Sequence, residues 1–144
     1  MSLPARKWRG LLVLLLGLVT VIAAQFFLEV CGDAGHMLET AKGTLVPMRC
    51  HWSEQGLNGI GGLVAGIGVV MLLARDEAQR ALSAVAALAG LLMILLPLWI
   101  LPTCTMPSMV CNLSYKPGAI LLGALVVLAG LLGMVRWKRV SQAA

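Results

Sequence analysis

Charge is scarce in this chain. Only 12% of its 144 residues are Asp, Glu, Lys or Arg, where a soluble domain carries about a quarter. That excludes an ordinary soluble fold, and the apolar content excludes a disordered chain. Aromatic residues make up only 5%, so no extended stacking surface for nucleic-acid bases is available. The chain has no glycine-rich phosphate loop, no nucleophile elbow, no Cys-x-x-Cys pair and no zinc-finger spacing. What it has in abundance is apolar surface. Hydrophobic residues make up 60% of the chain and the mean hydropathy is +0.93. The length fits a single domain spanning residues 1–144.

Crossing a bilayer core of about 30 Å takes a helix of roughly 20 apolar residues. Four runs qualify, at about 11–28, 57–74, 81–101 and 120–135. Backbone groups in lipid must bond internally, and these runs lack the alternation of barrel strands, so each predicts a helix. The fold class expected is all-α: an integral membrane four-helix bundle with two cysteine-containing extracytoplasmic loops, at about 29–55 and 102–118. Small-xxx-small pairs, Gly62 with Gly66 (Gly59 one turn earlier) and Ala86 with Gly90, predict close helix packing inside the bundle. Pro97 predicts a kink in the third span.

Basic residues set the orientation. Arg6, Lys7, Arg9, Arg75, Arg80, Arg136, Lys138 and Arg139 fall on one side; Lys42, Arg49 and Lys116 fall on the other. The richer side is expected to be cytoplasmic, with both termini inside. Trp8 and Trp137 would mark the inner interface, Trp52 and Trp99 the outer one. Residues near Ala23 and Ala24 resemble a signal-peptide cleavage site, but the apolar run is longer than the usual 7–15 residues, which favours an uncleaved span. The basic residues are split among three short segments, so nucleic acid is not an expected partner.

The two outer loops hold the reactive chemistry. All four cysteines, Cys31, Cys50, Cys104 and Cys111, lie there with both histidines, His36 and His51. In an oxidising compartment these cysteines are disulfide candidates, with three connectivities open: Cys31 with Cys50 and Cys104 with Cys111, or either cross-loop arrangement. The same atoms compete for a second role. Met48, Cys50, His51, Cys104, Met106, Met109 and Cys111 form a soft donor set suited to copper or another soft metal. A third role is redox. Arg49 beside Cys50 favours the thiolate. Four spans with an outer cysteine pair per loop resemble quinone-linked disulfide-forming membrane proteins, although the first-loop cysteines lie far apart. Gln25, Glu29 and Asn58 are polar groups at shallow membrane depth, and Asn112-Leu113-Ser114 matches a glycosylation sequon by pattern alone.

The segments Met48-Arg49-Cys50-His51-Trp52 and Cys104 through Met109 with Cys111 resemble a family of small four-span bacterial membrane proteins, domain of unknown function 4418. The resemblance runs from Cys31 onward and supplies no established activity. It implies a bacterial cytoplasmic (inner) membrane, multi-pass, and an accessory or binding role beside an ABC-type permease of the macrolide-exporter or lipoprotein-release type. A quinone-linked thiol–disulfide oxidoreductase and a purely structural bundle are the alternatives. The spans hold almost no charge at mid-depth and show no inverted repeat, so a channel or carrier is not expected.

Overall fold

The structure, a computed structural model, describes residues 5–28, 37–47, 49–102, 108 and 111–142. Four long helices dominate it: α1 (Ala5–Phe26), α2 (Arg49–Leu73), α3 (Asp76–Leu95) and α4 (Lys116–Gln142). Each contains a stretch long and apolar enough to cross a membrane, at Lys7–Phe26, Cys50–Leu73, Glu77–Ile100 and Cys111–Val135. An all-α, multi-pass bundle is therefore what the apolar runs build.

The helices begin earlier than their apolar runs. α2 starts eight residues before the expected span, at Arg49, because Ser53, Glu54 and Gln55 continue the helix although lipid would not select them. The fourth crossing segment likewise starts at Cys111, in a π-helical turn, Cys111–Tyr115, that feeds into α4. Cys50 and Cys111 thus lie in helical first turns, not in the loops at 29–55 and 102–118. Hydropathy marks only the lipid-facing length of a helix, and the polar turns beyond it are invisible to it. Cys31 and Cys104 lie outside the described residues. So do His36, Met48, Met106 and Met109.

A short hairpin was not anticipated in the first loop. β1 (Met37–Glu39) pairs antiparallel with β2 (Leu45–Pro47), with Leu38 opposite Val46. Gly43 closes the turn at φ 74°, a left-handed conformation that glycine adopts without Cβ strain. Its amide donates to the Thr40 carbonyl at 2.8 Å, and the Thr40 and Thr44 hydroxyls bond to one another.

Consecutive helices form tight pairs. α1 packs mainly on α2, and α3 mainly on α4; the two pairs meet less extensively. Both seams depend on absent side chains. A Cβ on Gly17 would sit 2.3 Å from the Ala65 amide nitrogen, and one on Gly68 would sit 2.4 Å from that of Leu14. In the second seam Gly90 and Gly123 approach each other's carbonyls, at 2.8 Å from either Cβ position. Between helices in lipid no hydrophobic drive operates, so close backbone approach supplies the attraction. Gly90 and buried Ala86 behave as expected. Gly62 and Gly66 do not. They and Gly59 are exposed, and an added Cβ would meet nothing within 4 Å among the described residues. The seam glycines of α2 are Gly61 and Gly68, roughly 130° round the helix from the expected pair.

Pro97 acts as expected, by a specific route. Lacking an amide hydrogen, it opens α3 into a π-helical turn, Leu96–Ile100, in which the Leu101 amide reaches back five residues to the Leu96 carbonyl at 2.8 Å. Ala74 and Arg75 alone link α2 to α3, and Arg80 falls inside α3. Gln79 clamps this corner: its Nε2 donates to the Met71 carbonyl at 2.8 Å. The Arg9 guanidinium reaches the Gly133 carbonyl at 3.5 Å, joining the start of α1 to the end of α4. The basic segments are thereby gathered at one end of the bundle, with exposed Trp8; exposed Trp52 and Trp99 stand at the other.

Candidate functional site

The end of the bundle opposite the basic one contains the thiols. On α2 the buried positions are Cys50, Ser53, Glu54 and Leu57, spaced i, i+3, i+4, i+7, so one helical face carries them all inward. From the other pair, Cys111 and Tyr115 are buried one turn apart, followed by Ala119 at the head of α4. The two faces meet through hydroxyls. The Tyr115 hydroxyl donates to the Ser53 carbonyl at 2.7 Å and lies 2.9 Å from the Ser53 Oγ. This joins residues 62 apart in sequence at a depth where an unpaired hydroxyl would be costly. Tyr115 is the single tyrosine of the chain.

Cys50, Cys111 and Glu54 all lie within electrostatic reach of Tyr115. Both cysteines are 0% exposed and Glu54 is 4% exposed. The fold therefore brings together one cysteine from each of the two sequence segments. The third polar step along α2 is Asn58, one turn beyond Glu54. Its amide nitrogen and oxygen are both buried and have no hydrogen-bond partner among the described residues.

Of the seven soft donors singled out in the sequence, the structure describes three: Cys50, His51 and Cys111. His51 is only half-buried and directs its ring edgewise against Trp52, with centroids 6.1 Å apart and planes at 75°. Adjacent residues of a helix do not face the same way, so Cys50 and His51 diverge. Among the described residues no three His, Cys, Asp or Glu side chains gather into a metal-holding group. The arrangement can hold a hydrogen-bond network about Tyr115 and shelter two sulfurs from solvent. Ser53 and Tyr115 were missed by sequence reasoning. The available signals were the i, i+3, i+4, i+7 spacing from Cys50 and a lone tyrosine one turn after Cys111.

Comparison with curated proteins and with solved structures gave no match. Residues 13–136 match the family described as Domain of unknown function (DUF4418), and the chain, four apolar helices and all, belongs to it.

Proposed function

We propose that the protein is a non-enzymatic accessory subunit of a bacterial cytoplasmic membrane, docking through the outward face of α2 against a transmembrane helix of a transport permease. The observation that carries this is the open glycine face. Gly59, Gly62 and Gly66 lie in the outward stripe of α2, flanked by exposed Trp52, Leu63, Val70 and Leu73. Each helical glycine costs about 0.5–1 kcal/mol relative to alanine. In the α1–α2 seam that cost is offset by close packing, whereas on the outward face nothing among the described residues offsets it. A partner helix approaching closely would do so, as small residues permit in lipid. A permease is the partner that the family resemblance implies, and the basic end would face the cytoplasm.

Burial of Cys50 and Cys111 weighs against the oxidoreductase alternative. Reactive thiols sit partly exposed in electropositive surroundings, and enclosed ones are inert. A role in holding the thiol end of the bundle, by disulfides or a soft metal, fits a binding subunit better.

The double variant Gly62→Leu, Gly66→Leu tests the proposal. In detergent it should retain wild-type helicity and monomer mass, yet fail to co-purify with the permease. Undiminished co-purification would overturn the docking assignment.

A further inference from the structure

Neither the family nor the docking face of α2 gives the β1–β2 hairpin a role. All eight residues from Glu39 to Val46 are exposed, so the ribbon gains little from packing on the helices. A two-stranded hairpin alone is marginally stable at best in water, and this one has only three residues per strand. It nevertheless presents apolar side chains outward: Leu45 is 64% exposed and Val46 42%.

The position of the ribbon supplies a cover for them. β2 ends at Pro47 and α2 starts at Arg49. Arg49 precedes the exposed interface residue Trp52 by three positions, about 4.5 Å of helix rise. The headgroup layer on each side of a bilayer core is about 5–8 Å deep. β2 therefore joins α2 inside that layer, at the end of the bundle where Phe26, Phe27 and Trp99 are also exposed. The ladder decides how the ribbon sits. The Thr40 amide donates to the Thr44 carbonyl at 3.0 Å, so these two form a hydrogen-bonded pair. Bonding alternates along the ladder, and the next pair, Glu39 with Leu45, therefore points its amides and carbonyls outward. Pro47, the following residue on the outer edge of β2, has no amide hydrogen. An added strand would find a single donor on that edge, at Leu45, which weighs against a peptide as the occupant. Successive strand residues point to opposite faces, so Leu45 and Val46 flank the edge on either side. Seated edge-on, β2 takes both side chains into lipid and few backbone groups with them.

We propose that the hairpin binds the bilayer surface at the thiol end of the bundle, seated on the β2 edge with Leu45 and Val46 inserted between the headgroups. The contact is apolar. Glu39 and Lys42 are the only charged residues between positions 37 and 47, and they cancel, so the hairpin needs no anionic lipid. Burial of the two side chains at the interface supplies the stabilisation that three-residue strands lack in water. The hairpin thereby anchors the segment that leads into α2, whether or not α2 docks on a permease.

The test places an environment-sensitive fluorescent amino acid, excited away from tryptophan, at position 45, 46 or 41 of the full chain in phosphatidylcholine vesicles. Emission from positions 45 and 46 should be blue-shifted relative to position 41, where Ala41 stands exposed beyond β1. Lipids brominated near the top of their acyl chains should quench 45 and 46 and leave 41 nearly undimmed. The shift should persist in about 1 M salt, where the Debye length is about 3 Å. Leu45→Thr keeps the strand propensity but removes the apolar side chain, and should reduce the quenching at position 46 without changing helicity. Equal emission from all three positions, untouched by bromine, overturns the proposal, because the ribbon then stands in water. A blue shift without bromine quenching also overturns it, since a protein surface is then the cover. Equal quenching at all three positions contradicts the edge-on seating, and a shift lost in salt contradicts the apolar contact. Unaltered quenching at 46 in Leu45→Thr counts against it as well, and this variant decides where the probe at 45 itself disturbs the hairpin.

Discussion

Two sets of glycines on α2 have opposite surroundings. Gly61 and Gly68 are pressed against α1, where a Cβ on Gly68 would come within 2.4 Å of backbone. A Cβ added to Gly59, Gly62 or Gly66 would meet nothing within 4 Å among the described residues. The same residue type, on the same helix and at the same membrane depth, makes a seam inside the chain on one side and an open face on the other. The contrast teaches that small-residue spacing predicts close approach but not to what. Only the angular position around the helix separates self-packing from docking, and that position depends on where the neighbouring helix sits.

The contrast can be broken from its strongest side first. Gly68→Val forces a branched side chain into the Leu14 backbone and should destabilise the bundle by about 3 kcal/mol, as overpacking does. Reversible unfolding in mixed micelles would read it as a fall in midpoint, and an unchanged midpoint would mean that α1 and α2 do not meet at this register. Next comes the link between the pairs at the thiol end. Tyr115→Phe removes the hydroxyl bonded to Ser53 and should cost about 1–3 kcal/mol. If the hydroxyl matters only through that pair, then Ser53→Ala combined with Tyr115→Phe costs less than the sum of the two, which a double-mutant cycle detects. The smallest effect has the opposite sign. Gly62→Ala and Gly66→Ala should each stabilise the isolated protein by about 0.5–1 kcal/mol, since alanine relieves the glycine cost and finds open space. A loss of stability in either would move these residues into the seam.

Much of the fold was legible because lipid imposes a length. Four runs of the right length could only be helices, and Pro97 had to disturb the third. The helix starts were not legible, since Arg49 through Gln55 form about two largely polar helical turns that a hydropathy criterion reads as loop. The hairpin escaped for a different reason. Three-residue strands give too few alternations to register a period of two, and Gly43 was the only local signal. At the site, cysteine segregation was visible, but its geometry was not. Cys50 and Cys111 come from separate segments and share Tyr115 as a neighbour only because two helix pairs close on each other. Three connectivities were equally compatible with the order of residues along the chain, and nothing local marks Ser53 as the partner of a tyrosine 62 positions away.

The docking face of α2 is the central claim, and site-specific photocrosslinking in intact cells tests it most directly. A photoreactive side chain at Leu63, beside the open glycines, is compared with one at Leu88 on the exposed face of α3. The account predicts a discrete adduct with a polytopic permease from position 63 and none from position 88. Lipid adducts alone from both positions, or a crosslink from position 63 only to a second copy of this chain, would contradict it.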